Sequence, residues 1–139
     1  MVVIDANNLI MGRVASFAVK KAILGEKVII VNSEEAVMTG KKNRIIAKFR
    51  QKREIGSVTK GPFYPRMPDR ILRRAVRGML PYKQKKGRDA FKRIMCYIGI
   101  PDEFKNEKAE TMKEADISKV KDISYVKLRE ISRILGAKI

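Results

Sequence analysis

Apolar residues near the start of the chain change from a continuous run to a helical spacing and back again. Val2–Ile4 and Lys27–Val31 are short β-branched runs, which predict buried strands. Between them apolar side chains recur at every third or fourth position, and Gly25 is placed to end that helix. This order predicts a βαβ unit with parallel strands and a right-handed crossover. The helical face is predicted to contain Ile10, Val14, Phe17, Ala18 and Leu24.

The next part of the chain predicts two amphipathic helices on either side of a proline-rich loop. A short helical turn at 32–35 and a break at 39–40 come first. Helices are then expected over 41 to about 54 and over about 69–80, with the loop at 56–68 between them. The inward positions are Ile45, Ile46 and Phe49 in the first helix, and Ile71, Leu72, Ala75, Val76 and Met79 in the second.

The last third of the chain predicts a third strand, a surface segment and a final helix. A helical turn at Ala90 and Phe91 leads into a strand at about 94–98. Residues 102–121 carry mixed charge and few apolar anchors, which predicts surface loop with weak helix. Without an internal repeat or a linker, residues 1–139 are expected to form one α/β domain. The final helix, at about 124–135, is expected to be capped by Ser124, to bury Tyr125, Leu128, Ile131 and Leu135, and to end at Gly136.

Positive charge is concentrated in the middle of the chain and indicates what kind of partner the protein binds. The net charge is +17, yet residues 41–93 alone carry 19 Lys and Arg against three acids, while both flanking regions are nearly neutral. So dense a positive block indicates a surface that binds a polyanion and gains free energy by releasing its counterions. On the helix at 69–80, four arginines share the face opposite the apolar stripe, and arginine forks suit bidentate phosphate contact. They are Arg70, Arg73, Arg74 and Arg77.

The candidate nucleic-acid ligands extend beyond these arginines to the helix before them, the loop and the turn after them. Phe63 and Tyr64 belong to the loop, where they are either core residues or stacking partners for bases and sugars, and the sequence leaves both alternatives open. Arg13 lies at the start of the first helix, whose amides are a further candidate phosphate site. The remaining candidates are Lys41, Lys42, Arg44, Lys48, Arg50, Lys52, Arg53, Lys60, Arg66, Lys83, Lys85, Lys86 and Arg88.

Two absences in the composition exclude much of enzyme chemistry. The chain has no His, so histidine acid–base catalysis and histidine metal sites are excluded. Its single Cys96 permits no intrachain disulfide and, inside an apolar run, is expected to be a buried hydrophobe rather than a reactive thiol. No apolar run approaches the roughly 20 residues of a membrane span, and the first residues do not resemble a signal peptide. A cytoplasmic location, no cofactor, no metal and no small-molecule substrate are therefore expected.

An alternative to be weighed is a metal-dependent ribonuclease. The opening strand ends in Asp5 followed by Ala-Asn-Asn-Leu-Ile, which resembles the start of PIN-domain nucleases. Such enzymes hold a divalent metal with several carboxylates. An aspartate at a strand end more often caps a turn, and the basic block does not fit that family. The acids that would have to complete the set are Glu34, Glu35, Asp89, Asp102 and Asp116.

Several longer motifs are similar to the thirteenth protein family of the large ribosomal subunit. The most specific is Val-Arg-Gly-Met-Leu-Pro within residues 74–83, followed by Lys-Gly-Arg at 86–88. Further matches lie at 11–16, 31–34, 39–41 and 61–64, and in the Tyr-x-Gly-Ile-Pro segment at 97–101. The terminal helix resembles the archaeal and eukaryotic branch, and the absence of the bacterial branch's His-rich stretch favours an archaeal type.

This resemblance implies a three-layer α/β/α fold around a mostly parallel sheet and a non-catalytic role. It also implies a structural constituent of the large subunit that binds large-subunit rRNA, contacts neighbouring ribosomal proteins and joins early in assembly. A free RNA-binding regulator outside the ribosome is the remaining alternative.

Overall fold

The computed structural model describes residues 1–120 and 124–139. Lys121, the end of the expected surface segment, lies outside the described residues. Within these ranges the strands are β1 (Val2–Asp5), β2 (Val28–Val31), β3 (Val37–Thr39), β4 (Ile94–Cys96), β5 (Ala109–Glu110) and β6 (Tyr125–Lys127). The α-helices are α1 (Met11–Ile23), α2 (Lys42–Glu54), α3 (Pro68–Met79), α4 (Lys85–Lys92) and α5 (Leu128–Ile134). Single turns of 3-10 helix occupy Ser33–Glu35, Asp102–Phe104 and Ile117–Lys119.

Four strands form a parallel sheet in the order β4-β2-β1-β5. Val2 pairs with Val28, and Val28 pairs in turn with Ile94 on its other side. The predicted βαβ unit is therefore present as β1-α1-β2, and the α/β class with a mostly parallel sheet is confirmed. The strand predicted at about 94–98 is β4, and it is shorter than predicted because it ends at Cys96.

The two faces of this sheet are covered very differently. Side chains of β1, β2 and β4 alternate between the faces, so that Ile4 and Ile30 join one core and Val3 and Ile29 another. The first core takes in buried residues from all five α-helices. The second is small, and Phe104 of a 3-10 helix supplies its cover. One α-helical layer thus holds most of the elements that carry the basic block.

The end of α1 shows why one predicted core position was wrong. Gly25 has φ +100° and its N–H donates to Ala22 O (3.1 Å), while Glu26 N–H donates to Lys21 O (3.2 Å). This pair of bonds is a Schellman motif, which confirms the predicted stop. Leu24, the C-cap, keeps helical dihedral angles and lies about 200° around the helix from the buried Ala22, so it faces away from the core and is 78% exposed. Ile10 likewise lies just outside the helix, as its extended N-cap.

A two-stranded antiparallel sheet was not predicted. β3 ends at the expected break and pairs with β6, where the final helix was expected to begin, so that Val37 lies opposite Lys127. Tyr125 therefore belongs to a strand and is about half exposed, whereas Leu128, Ile131 and Leu135 are buried as expected. Ser124 does not cap the helix. Its carbonyl instead accepts a hydrogen bond from Gly40 N–H (2.7 Å).

None of the described helices has the length and apolar character needed to cross a bilayer.

Candidate nucleic-acid interface

The predicted cations lie on three consecutive elements, α2, the proline-rich loop and the α3–α4 pair, apart from Arg13 on α1. Lys52, Arg73 and Arg74 are partly buried, and the other predicted cations of residues 41–93 are exposed. In α2 only Ile45 and Phe49 are buried, and Ile46 is intermediate rather than buried. Most of the circumference of α2 therefore remains free to contact a polar partner.

The four arginines of α3 meet in one groove. Arg70, Arg73, Arg74 and Arg77 line an open depression of about 210 Å³ together with Pro65 and Phe91. The helical spacing thus places them on one side of α3, as predicted, while Ile71, Leu72 and Val76 are buried. Of the other two predicted inward positions, Ala75 is only partly buried, and Met79, at the helix end, is 44% exposed.

Three of these arginines stack on aromatic rings supplied by other segments. Arg74 Cζ lies 4.5 Å from the Tyr64 ring centroid, Arg73 Cζ lies 4.7 Å from that of Phe91, and the Arg77–Tyr82 distance is 5.4 Å. A guanidinium that stacks through its flat face keeps N–H groups at its edge for other acceptors. Stacking therefore orients the cations before any partner binds, which reduces the entropy lost on binding.

The structure separates the two aromatic residues of the loop. Tyr64 packs against the main core and meets Phe49 edge-on, with ring centroids 5.7 Å apart. Burial raises the pKa of Tyr64, and the Arg74 charge partly offsets this. Phe63, by contrast, is 71% exposed. Of the two alternatives for this pair, Tyr64 has the core position and Phe63 the position open to a partner.

Lys52 lies above the same aromatic pair. Its Nζ is 5.1 Å from the Tyr64 centroid and 5.4 Å from that of Phe49. Burial lowers the pKa of Lys52, and the nearby charges of Lys48 and Arg74 lower it further. These unfavourable effects indicate a site where positive charge has been crowded together, which an external anion would relieve.

Besides Arg74, which donates to Phe63 O, three predicted nucleic-acid ligands have polar partners within the chain. Lys42 forms an ion pair with Glu130, Arg53 donates to Leu135 O, and Arg13 donates to Glu114 O. Leu135 is the C-cap of α5, so Arg53 satisfies a carbonyl at the end of that helix. Contact of these residues with RNA stays a prediction, since part of their hydrogen-bonding capacity serves the fold.

The C-terminal segment, residues 124–139, holds α2 in place, a role that was not predicted. Both β6 and α5 pack against α2, in addition to Tyr64 of the loop, which meets Phe49. Lys42 near the first turn and Arg53 near the last are the two α2 residues bonded to α5 and its C-cap. No local pattern signals these contacts, because the partners are more than 80 positions apart in the chain. The C-terminal segment thus positions a basic helix from outside the block at 41–93.

Comparison with known proteins identifies the family to which this chain belongs. Residues 1–103 match the family described as Ribosomal protein L13. The chain belongs to this family. It is 50% identical over 136 residues to the large ribosomal subunit protein uL13 of Methanopyrus kandleri, covering 96% of this chain and 86% of the relative. The protein of the same name from Methanosarcina barkeri is 45% identical, with 99% of both chains covered.

Ribosomal protein L13 membership and the positions of the acids both contradict the nuclease alternative. Asp5 Oδ1 accepts hydrogen bonds from Asn7 N–H (3.0 Å) and from Asn32 Nδ2 (2.9 Å), so it joins the ends of β1 and β2. Glu34 accepts from Gly99 N–H (3.1 Å). Among the described residues, no three Cys, Asp or Glu side chains come close enough to hold a metal ion. These acids therefore have structural partners rather than a shared site.

Glu35 is the most strongly paired of these acids. It contacts Lys127 (2.7 Å) and Arg129 (2.8 Å), both from the C-terminal segment. The hydrogen bond from Lys127 lowers the pKa of Glu35, although burial opposes the shift. The pair fastens the C-terminal segment to the 3-10 helix at Ser33–Glu35.

Proposed function

We propose that this protein is a structural constituent of the large ribosomal subunit that binds large-subunit rRNA and supports early subunit assembly. The observation that carries the proposal is the groove of four arginines on α3, three of them stacked on aromatic rings. Its setting is a block of charge +16 in a chain of net charge +17. Membership of the Ribosomal protein L13 family supports this role and gives no support to catalysis.

Recognition would depend mainly on the RNA backbone and its folded shape. Guanidinium edges and exposed lysines suit phosphate oxygens, and most protein–nucleic acid hydrogen bonds go to phosphate and sugar. The cations on α2, on α3 and in α4 would then contact adjacent backbone segments of one folded region. Residues 102–121, where the charge of the sequence is nearly balanced, would face solvent or neighbouring ribosomal proteins in the cytoplasm.

The salt dependence of RNA binding tests this assignment. Replacing Arg73, Arg74 and Arg77 with Ala should flatten the plot of log affinity against log salt, by up to about 0.9 for each phosphate that is no longer neutralised on duplex-like RNA. The matched control replaces Lys108, Lys113 and Lys119, three exposed lysines outside the block, which removes the same charge. Equal slopes for the two triple variants would show that net charge, rather than this groove, governs binding.

A sucrose gradient of cell extract tests the ribosomal role itself. If the proposal is right, the native protein sediments in stoichiometric amount with large subunits. A mainly free pool that still binds RNA would instead support the regulator. Mg²⁺- or Mn²⁺-dependent RNA cleavage abolished by Asp5→Asn would restore the nuclease alternative.

A further inference from the structure

Residues 55–63, here called the finger, form a closed loop between α2 and α3. Ser57 and Gly61 exchange two backbone hydrogen bonds (3.3 and 2.9 Å), and Lys60 N–H donates to Ser57 Oγ (3.1 Å). Gly56 has φ +100°, and a Cβ placed there would lie 2.1 Å from Gly61 O. Only glycine fits this close approach. The finger therefore has a defined shape although most of it is exposed.

The finger exposes apolar side chains that the fold leaves uncovered. Val58 at the tip is 95% exposed, Phe63 is 71% exposed and Ile55 is 52% exposed. Isolated exposed apolar residues are ordinary, but three within nine positions give the finger apolar surface that a partner could cover. Lys60 within the finger and Arg66 beyond it are exposed cations. A partner with negative charge and apolar or aromatic faces fits this combination, and unpaired RNA has both.

Phe63 is exposed, yet its position is well determined. Its carbonyl accepts a hydrogen bond from Arg74 Nη1 (2.9 Å), and a Cβ on Gly61 would lie 3.0 Å from its ring, so the ring rests against that glycine. Pro62 restricts the backbone on one side, and Pro65 does so two residues later. An aromatic ring held in this way loses little conformational entropy when a second ring stacks on it.

We propose that the finger recognises an unpaired base of large-subunit rRNA, with Phe63 stacked on the base and Val58 packed beside it. The inference rests on the proposed function and adds a class of target, a single-stranded loop or bulge, to the backbone contacts of the arginines. Tyr64 has no part in this stacking, because Phe49 and Arg74 already occupy its ring.

The test compares Phe63 variants for binding to transcribed large-subunit rRNA at several salt concentrations. Phe63→Ala should weaken binding by roughly 5- to 150-fold, the range for loss of one base–aromatic stack, with an unchanged salt slope because no charge is removed. Phe63→Trp should retain affinity, whereas Phe63→Leu should not. Leu24→Ala, at a similarly exposed apolar position outside the block, is the matched control and should have no effect.

Chemical probing of the same complexes identifies the base. Wild-type protein should protect one or a few unpaired bases from base-modifying reagents, and Phe63→Ala should restore their reactivity while leaving backbone protection in place. Gly56→Ala, which deforms the finger but keeps Phe63, should restore it as well.

Two outcomes would overturn the inference without touching the proposed function. One is wild-type affinity and protection in Phe63→Ala. The other is normal RNA binding by Phe63→Ala with weaker binding to a neighbouring ribosomal protein, which would assign the finger to a protein contact. If wild-type protein itself shows no salt-dependent rRNA binding, the proposed function fails instead.

Discussion

Arg74 and Arg70 carry the same charge on the same helix, yet we expect their replacement to affect folding stability differently. Arg74 donates to Phe63 O (2.9 Å) and stacks on Tyr64 (4.5 Å). Arg70 is exposed and makes no hydrogen bond or ion pair within the part of the chain that the structure describes. Arg74→Ala should therefore lower the free energy of unfolding, whereas Arg70→Ala should leave it nearly unchanged.

The size of the effect follows from the two interactions that Arg74→Ala removes. A hydrogen bond of this kind contributes about 0.5–1.5 kcal/mol, and a cation–π contact about 0.5–2 kcal/mol depending on its exposure. Arg74→Ala should thus lower the free energy of unfolding by about 1–3 kcal/mol, allowing for the partial exposure of the side chain. For a domain of this size, each kcal/mol corresponds to a fall in Tm of roughly 3–5 °C. Arg70→Ala should stay within about 0.5 kcal/mol of wild type.

Urea unfolding of the RNA-free proteins, followed by circular dichroism, measures this difference. The same two variants should flatten the salt dependence of rRNA binding alike, since each removes one cation from the groove. Arg74→Lys keeps the charge but not the planar stack, so its stability should lie between wild type and Arg74→Ala. Equal unfolding free energies for Arg70→Ala and Arg74→Ala would refute the claim that stacking orients the groove.

Three further predictions concern the core, the close approach of two segments and Asp5. Burial raises the pKa of the Cys96 thiol to about 12, with Arg73 opposing and Asp69 reinforcing the shift. The unfolded thiol loses its proton first, so stability should fall from about pH 9 upward, and Cys96→Ala should reduce that fall in urea titrations. Gly87→Ala should destabilise the fold by about 1–3 kcal/mol, because its Cβ would lie 2.2 Å from Pro81 O. Gly78 has open space around it, so Gly78→Ala should be neutral or should stabilise the fold by up to about 1 kcal/mol. Thermal melts of the two variants measure the difference. Wild-type protein should leave RNA intact when incubated with Mg²⁺, and Asp5→Ala should lower Tm by a few degrees because it removes the oxygen that accepts from Asn7 N–H and Asn32 Nδ2.

The elements that the sequence predicts well are those specified by neighbouring residues. The helix α3 follows from the three- and four-residue spacing of Ile71, Leu72 and Val76, and the end of α1 follows from Gly25. The pairing of β3 with β6 has no such local signal. Val37 and Lys127 are ninety positions apart, and the segments contain too few residues for a two-residue alternation to be recognised.

The same distinction applies to the candidate site. Helical spacing places four arginines on one side of α3, but it does not indicate which of them also contact other residues of the chain. Arg74 differs from Arg70 because Tyr64 and the Phe63 carbonyl contact it from the loop. Arg73 differs from Arg70 because Phe91 of α4 contacts it. Sequence periodicity therefore predicts the position of a cation, while its partners depend on tertiary packing.

The cations of α2 divide in the same way, between its ends and its middle. Lys42 and Arg53, near the two ends, are bonded to α5 and its C-cap. Arg44 and Lys48 lie between them, make no hydrogen bond or ion pair among the described residues, and line an open depression of about 510 Å³. Because α2 buries only two side chains, apolar packing alone holds it weakly, and the bonds at its ends fix the direction in which its middle faces. The direction in which Arg44 and Lys48 face thus depends on the C-terminal segment, which lies outside the basic block.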